Sequence, residues 1–255
     1  MHWIVQATVE GLRFYTRLPT PQKIYSSDAL NFQRIAWSLP IVGGIIGLFG
    51  AGILLLSIAL GLTPLISAIL ALATLIIVTG GLHEDGLADF TDCLSGKTPE
   101  ARLAIMRDSR IGTFGALALC LTLLLRVTTL ATLAQQSLAG AIFVIIIVAA
   151  LSRVAGLAPL ILTLPARQDG VAAQAIVPTL KVVIYLLAAL TIFGFLPATL
   201  LGHWLNALYA TLAAVMGAGF VRWRAQQQLG GYTGDVLGAA QQLAEVGALL
   251  AFSLS

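Results

Sequence analysis

Charged residues are what this sequence has least of. Only 10% of its 255 residues are Asp, Glu, Lys or Arg, and none of these occurs between Arg34 and Glu84. A soluble domain usually carries about 25% charged residues, whereas 58% of this chain is hydrophobic. The scarcity of charge excludes an ordinary soluble domain and predicts an integral membrane protein.

Cysteine and net charge are also low, and each excludes a further class of protein. The two cysteines, Cys93 and Cys120, provide no disulfide framework, so we expect reduced thiols. The formal net charge of +3 is too small to indicate a nucleic-acid partner. The first long apolar run begins only near Trp37, after four basic residues, so we expect no cleavable signal peptide.

Long apolar runs predict an all-α polytopic membrane bundle of about seven transmembrane helices. Each run is close to the roughly 17–25 residues that a helix needs to cross a bilayer, and none alternates like a membrane-barrel strand. We expect one membrane-embedded domain over residues 1–255, in which residues 1–36 lie at the interface or cap the bundle. The predicted segments are 37–60, 63–81, 112–134, 139–164, 181–200, 202–222 and 236–253.

The basic residues predict the orientation of these segments. The connections near 61–64, 135–138 and 201–203 contain no Lys or Arg, so all the basic connections fall on one side of a seven-segment bundle. The positive-inside rule makes that side cytoplasmic. The basic residues there are Arg13, Arg17, Lys23, Arg34, Lys97, Arg102, Arg107, Arg110, Arg167, Lys181, Arg222 and Arg224.

An acidic motif, G-G-L-H-E-D-G-L-A-D-F-T-D at residues 80–92, follows the longest uncharged stretch. Asp85, Asp89 and Asp92 have the spacing i, i+4, i+7, which places three carboxylates on one face of a helix. Like charges on one face repel each other, so a multivalent cation would stabilise them. Carboxylate oxygens favour Mg²⁺ or Mn²⁺ over zinc, and the motif therefore predicts a metal site, with His83 beside it.

Three further polar patches lie on the same predicted side. R-D-S-R-I-G-T-F-G at 107–115 opens a span with Arg107, Arg110 and Gly112, a combination suited to phosphate. P-A-R-Q-D-G at 165–170 contains Arg167, and G-G-Y-T-G-D-V-L-G-A at 230–239 contains Thr233, Gly234 and Asp235. Acidic groups, arginines and glycine turns at one membrane face are typical of phosphoryl transfer.

Each patch also has a structural interpretation. The acidic residues could favour a helix dipole, the arginines could set topology, Asp235 could be an N-cap, and His83 could be a packed residue. Three charges fall inside predicted spans, where they are functional or paired by default. Arg153 and Glu245 could form an ion pair within the bundle. The third such charge is Arg126.

Taken together, the four motifs and the N-terminal R-F-Y-T-R-L-P-T-P at 13–21 resemble the cobalamin synthase family in order and over nearly the whole chain. The resemblance implies an enzyme of the bacterial inner membrane with its active site facing the cytoplasm. It implies transfer from adenosylcobinamide-GDP to α-ribazole, or to its 5′-phosphate, with release of GMP and with Mg²⁺ as cofactor.

The resemblance also implies roles for individual residues. Catalytic roles fall to His83, Asp85 and Arg110; substrate-binding roles to Arg107, Arg110, Gly112, Arg167, Thr233 and Gly234; and metal binding to Asp85, Asp89, Asp92 and Asp235. Two positions depart from the family pattern. Glu84 stands where an apolar residue is expected, and Gln242 stands where an acidic residue is common.

Other functions are compatible with parts of the sequence. The D-G-x-x-A texture is similar to that of the CDP-alcohol phosphotransferases, although Asp89 replaces their expected Arg. An ion-coupled transporter would place polar groups near the midplane, whereas here they gather at one face. A purely structural subunit would not need four convergent patches. The glycine-rich spans also permit close association in a homo-oligomer.

Overall fold

A computed structural model describes residues 2–20, 31–169 and 175–254. Lys23 and Gly170, which belong to the predicted basic and polar patches, lie outside these ranges. Within them every regular element is helical, which confirms the all-α class. The α-helices are α1 His2–Tyr15, α2 Phe32–Ala59, α3 Pro64–Thr79, α4 Leu82–Asp92, α5 Pro99–Ile105, α6 Thr113–Gln136, α7 Leu138–Ala155, α8 Ala158–Leu162, α9 Leu180–Leu200, α10 Asn206–Leu229 and α11 Gly234–Phe252.

Among the described residues, four stretches are long and apolar enough to cross a membrane, namely α2, α6, α7 with α8, and α9. The bent pair formed by α3 and α4 makes a fifth if it counts as one span. Helices also form at the sixth and seventh predicted segments, but their polar residues make them less apolar. The chain is thus a multi-pass membrane protein, and the count of seven spans stays a prediction for α10 and α11.

Several segment boundaries differ from the sequence prediction. The first span begins at Phe32 rather than near residue 37, because the Asn31 side chain accepts a hydrogen bond from the Arg34 N–H and caps the helix there. The helix of the sixth segment runs over Asn206–Leu229 rather than 202–222. The fourth segment is interrupted by a turn at Gly156 before the short α8, and this turn lines the cavity described below.

Helix α11 is the centre of the bundle and packs against α4, α6, α7, α8 and α10. Its contact with α10 is lined by small buried side chains, so that the two backbones approach closely. A Cβ added to Gly217 would lie 2.7 Å from the Leu243 carbonyl oxygen, and one added to Gly247 would lie 3.0 Å from the Ala213 carbonyl oxygen. The buried alanines of the two helices include Ala210, Ala214, Ala218, Ala240, Ala244 and Ala248. A second close pair joins α2 to α7.

The ends of the helices that carry the basic residues lie together at one end of the bundle. Contacts among these ends join segments that are distant in sequence, as the single-sided arrangement of basic loops predicts. The contacts are Arg17 N–H to Val78 O, Arg102 to Gln228 O, Arg107 to Asp169, and Arg222 to Leu162 O. We call this region the basic end of the bundle.

The α2–α7 contact generates a stability prediction. A Cβ added to Gly43 would lie 2.4 Å from the Ala150 Cα, so Gly43→Ala forces the two backbones apart. We expect a loss of about 1–3 kcal/mol of unfolding free energy, seen as a lower melting temperature in detergent. Gly44→Ala is the matched control, because nothing lies within 4 Å of its added Cβ. Equal melting temperatures for the two variants would contradict the packing.

Candidate active site

The acidic motif begins at a sharp bend in the chain. Gly80 and Gly81 have φ angles of 67° and 69°, in the left-handed region that glycine enters without strain. The bend sets α4 at 87° to α3. A Cβ added to Gly80 would lie 2.3 Å from the Arg17 Nε, so the N-terminal segment packs directly on the turn. As a result, His83 and Asp85 lie across the basic end of the bundle.

A close backbone contact then joins α4 to α11. A Cβ added to Gly86 would lie 2.8 Å from the Asp235 carbonyl oxygen and 3.2 Å from the Gly238 Cα. Only glycine permits this approach, and it brings the carboxylates on either side of Gly86, at Asp85 and Asp89, towards Asp235. Two acidic patches that are far apart in sequence therefore form one cluster.

Asp235 lies in the first turn of α11 but does not cap the helix. The N-cap is Thr233, whose hydroxyl accepts a hydrogen bond from the Val236 N–H. The Thr233 hydroxyl also donates to Oδ2 of Asp235 at 3.3 Å. Because Thr233 already serves as the cap, the Asp235 carboxylate remains half-buried beside the acidic residues of α4.

The clustered carboxylates perturb one another. Burial, as the largest cause, and the negative charges of Asp85, Asp235 and Asp92 together raise the pKa of Asp89 to about 7. Burial also raises the pKa of Asp235, while the positive charge of Arg167 opposes the shift. Mutual repulsion of this kind is relieved when a cation lies among the carboxylates.

A cavity of about 240 Å³ opens beside this cluster, between α1, α4, α7 and α11. Its wall combines aromatic residues from the N-terminal helix with polar residues from the predicted patches. Six predicted site residues line it, namely His83, Asp85, Arg167, Thr233, Gly234 and Asp235. Asp89 interacts electrostatically with Asp85 and Asp235. The remaining predicted site residues, Asp92, Arg107, Arg110 and Gly112, do not line the cavity.

His83 is a buried base at the inner end of the cavity. Its ring stacks on Tyr15, with ring centroids 5.7 Å apart and planes 12° from parallel. Burial lowers the pKa of His83 well below its usual value, and the positive charges of Arg153 and Arg126 lower it further. The ring is therefore neutral at pH 7. Its Nε2 atom is buried and has no hydrogen-bond partner among the described residues.

Asp92 has a structural role at the start of α6. Its Oδ2 accepts a hydrogen bond from the Gly112 N–H at 2.7 Å, and its Oδ1 accepts one from the Gly115 N–H at 2.8 Å. The backbone N–H groups of Gly112 and Gly115, which we expected to be available to a phosphate, therefore already bind the Asp92 carboxylate. Metal binding by Asp92 and phosphate binding by Gly112 stay predictions that compete with this contact.

The arginines of the second patch face outwards. Arg110 is exposed and bonds to the neighbouring Asp108, while Arg107 forms an ion pair with Asp169. Asp169 itself lines the cavity, so Arg107 lies near the rim and Arg110 lies farther along the same loop. The substrate-binding and catalytic roles predicted for them would require this loop to turn inwards when substrate binds.

Beneath the cavity, a buried cluster joins α4, α6 and α11. Arg126 donates to Glu245 Oε1 at 2.5 Å, to Glu84 Oε1 at 2.9 Å and to Gln242 Oε1 at 3.1 Å. The partner of Glu245 is therefore Arg126 rather than the predicted Arg153. Glu84 and Gln242, where the resemblance led us to expect an apolar and an acidic residue, also bond to each other at 3.1 Å.

Among the described residues, no three His, Cys, Asp or Glu side chains are arranged so that they could hold a metal ion by themselves. The oxygens of Asp85, Asp89 and Asp235 are nevertheless hard donors in one repulsive cluster. Mg²⁺ is commonly held by one or two carboxylates together with substrate phosphates and water. The donor set fits that mode of binding.

Comparison with known proteins identifies the family. The model of the cobalamin-5-phosphate synthase family matches residues 7–253. The chain belongs to this family. It is 44% identical over 251 residues to the adenosylcobinamide-GDP ribazoletransferase of Azorhizobium caulinodans, covering 94% of this chain and 92% of the relative.

Two further relatives carry the same name. The protein of Xanthobacter autotrophicus is 42% identical over 255 residues, with 97% of this chain and 95% of the relative covered. The protein of Rhizobium johnstonii is 39% identical over 251 residues, with coverage of 96% and 95%. No solved structure matches the chain. Membership of the cobalamin-5-phosphate synthase family confirms that the chain is a transferase.

The structure adds cavity residues to which the sequence gave no site role. Phe14 and Tyr15 enter from α1, Arg153 from α7 and Gln241 from α11. The aromatic pair lies within the N-terminal motif that resembles the family, in a segment too polar to span the membrane. The presence of an aromatic pair in such a motif was the sequence signal for a role of Phe14 and Tyr15 in the site. Nothing in the sequence pattern indicated that Arg153 and Gln241 face a cavity rather than a neighbouring helix.

The raised pKa of Asp89 predicts a pH dependence of stability. The folded protein holds this proton up to about pH 7, against an ordinary value of 3.8, so stability without divalent cations falls as the pH rises between these values. We expect melting temperatures in detergent with EDTA to show this fall, and Asp89→Asn to reduce it.

Asp108→Asn is the matched control. Hydrogen bonds from Arg110 hold the pKa of Asp108 at about 2, below the pH range over which Asp89 titrates. The Asp108→Asn variant should therefore lose melting temperature with rising pH as wild type does. If both Asp89→Asn and Asp108→Asn show the wild-type fall of melting temperature with pH, then Asp89 does not have a raised pKa in the folded protein.

Proposed function

We propose that this protein transfers the adenosylcobinamide-phosphate group from adenosylcobinamide-GDP to α-ribazole or α-ribazole 5′-phosphate. The products are adenosylcobalamin or its 5′-phosphate, together with GMP. Family membership supports the last step of cobalamin assembly, and the relatives' names support the donor and the ribazole acceptor. The observation that carries the proposal is the meeting of Asp85, Asp235 and His83 at one cavity in a chain of this family.

The reaction forms one bond and breaks another at the same phosphorus. An acceptor hydroxyl oxygen attacks the phosphorus that bears the cobinamide side, and the oxygen bridging to GMP leaves with the bond electrons. A phosphorylated acceptor keeps its 5′-phosphate in the product, so the attacking group is a ribose hydroxyl other than the 5′-hydroxyl. Catalysis therefore requires an acceptor for the hydroxyl proton and positive charge around the phosphates.

His83 is suited to accept that proton. Its imidazole is neutral because burial and nearby arginines lower its pKa, and Nε2 has no other partner among the described residues. Stacking on Tyr15 fixes the plane of the ring. A base held in this way contributes typically about 10²–10⁴-fold to rate.

One or two of the carboxylates of Asp85, Asp89 and Asp235, together with substrate phosphates and water, would hold Mg²⁺. When bound, the ion would neutralise charge on the pyrophosphate and on the departing GMP. Arg167 lines the same cavity and supplies a positive charge beside Asp235, which suits a substrate phosphate. Thr233 and Gly234, at the start of α11, place backbone donors and an uncrowded approach next to it.

The orientation follows from the basic end of the bundle. This end carries the cavity and the basic connections together, and the positive-inside rule assigns such an end to the cytoplasm. In a bacterial inner membrane the site would then face the compartment that supplies nucleotide-activated donors.

The decisive experiment uses purified protein in detergent or liposomes with Mg²⁺, adenosylcobinamide-GDP and α-ribazole. We expect formation of adenosylcobalamin with one GMP released per product, abolished by EDTA. Asp85→Asn should lower kcat by on the order of 100-fold or more, because it removes a charged ligand without changing the size of the side chain.

Glu100→Gln is the matched control, since Glu100 is an exposed carboxylate on the short helix α5 away from the cavity. It should retain wild-type activity. An absence of product from folded wild-type protein with either acceptor would reject the proposed reaction, and full activity of Asp85→Asn would reject the metal site at α4.

A further inference from the structure

Arg153 is a buried arginine that faces the cavity without a carboxylate partner. It lies in the last turn of α7, close to the turn at Gly156, and only 4% of its surface is exposed. Arg153 and Gly156 line the cavity together with Arg167. A cation in such a position is costly unless it is paired or serves a ligand.

The hydrogen bonds of Arg153 leave most of its donors unused. Its Nη1 donates to the Ala149 carbonyl oxygen of its own helix at 2.6 Å. Its Nε is buried and has no partner among the described residues. An arginine side chain has five N–H donors in a planar fork, so the guanidinium can still offer a pair of donors to a ligand in the cavity.

The nearest carboxylates bond to groups other than Arg153. Glu245 uses Oε1 for Arg126 and Oε2 for Gln241, and Glu84 uses Oε1 for Arg126, while its Oε2 has no partner among the described residues. Within the described residues, no ion pair links either of them to Arg153. The Nε atoms of both buried arginines lack a partner there, but Arg126 donates to three side-chain acceptors, whereas the hydrogen bond of Arg153 goes to one backbone carbonyl.

The rest of the cavity combines positive and negative groups. Arg167 also lines it, near Asp235, and the first turn of α11 contributes Thr233 and Gly234. The carboxylates of Asp85, Asp169 and Asp235 line it as well, and a phosphate that shares a cation with carboxylates and also contacts arginine suits such a mixture. Planar guanidinium groups bind phosphate through two parallel hydrogen bonds.

We propose that Arg153 is a substrate-contact residue that binds phosphate oxygens at the inner end of the cavity. This assignment rests on the proposed function for the identity of the substrate. Two phosphates could supply the ligand, the pyrophosphate of the donor or the 5′-phosphate of a phosphorylated acceptor. Arg153 then fixes substrate position, while the carboxylates of α4 and α11 act on the reacting phosphorus.

A kinetic test distinguishes the two sources. Arg153→Lys keeps the charge but loses the planar fork, so the KM of the substrate whose phosphate is bound should rise roughly tenfold or more. If only the KM of α-ribazole 5′-phosphate rises, and those of α-ribazole and the donor do not, Arg153 binds the acceptor phosphate. If the KM of the donor rises with either acceptor, Arg153 binds the pyrophosphate. Unchanged KM and kcat values in folded Arg153→Lys overturn the proposal.

A binding test separates this inference from the reaction itself. Inorganic pyrophosphate in EDTA should raise the melting temperature of detergent-solubilised wild type, and the rise should be lost in both Arg153→Lys and Arg153→Gln. Arg224→Gln is the control, because Arg224 lies outside the cavity over the Trp223 ring and should respond like wild type.

The outcomes of the binding test are distinct. Equal protection of wild type and the Arg153 variants, or no protection of wild type, overturns the phosphate contact. If protection depends on Arg153 but wild type makes no cobalamin product, the proposed reaction fails and the phosphate contact stands.

Discussion

The site depends on the 87° bend at Gly80–Gly81, which ends a span and sends α4 across the bundle. Without it, α4 would continue along the axis of α3 beyond the basic end of the bundle, and Asp85 and Asp89 would lie away from Asp235. The glycine contact between α4 and α11 then completes the arrangement, since it brings Asp235 to the same cluster. The positive φ angles at Gly80 and Gly81 and the close backbone approach at Gly86 therefore determine where the acidic cluster lies.

The buried cluster around Arg126 provides the rigid floor for this arrangement. It ties α4, α6 and α11 through one guanidinium, two carboxylates and an amide. Networks of this kind stabilise a unique packing when their members are paired. The cluster and His83 line the same small pocket, so the imidazole that we propose as the base rests on hydrogen-bonded atoms that have little freedom to move. The structural polar groups thus lie deeper in the bundle than the proposed catalytic ones.

Composition and local spacing were sufficient to predict the membrane class, the acidic motif and the patches that line the cavity, because those signals are local. They were not sufficient for features that depend on which helix faces which. Arg153 faces a cavity rather than Glu245, because α6 places Arg126 nearer to that carboxylate. The backbone donors at Gly112 bond to Asp92, and α1 contributes Tyr15 to the wall. Hydropathy carries no information about such pairings.

The hydrogen bond between Glu84 and Gln242 makes substitutions at these two positions interdependent. They are neighbours across α4 and α11, at the positions where the family resemblance led us to expect an apolar and an acidic residue, and Arg126 has two acidic partners in Glu84 and Glu245. The residues around Arg126 therefore form a single electrostatic unit. A chimera that combined this α4 with an α11 bearing an acid at position 242 would bury a third carboxylate beside one arginine, and neither parent would reveal the conflict.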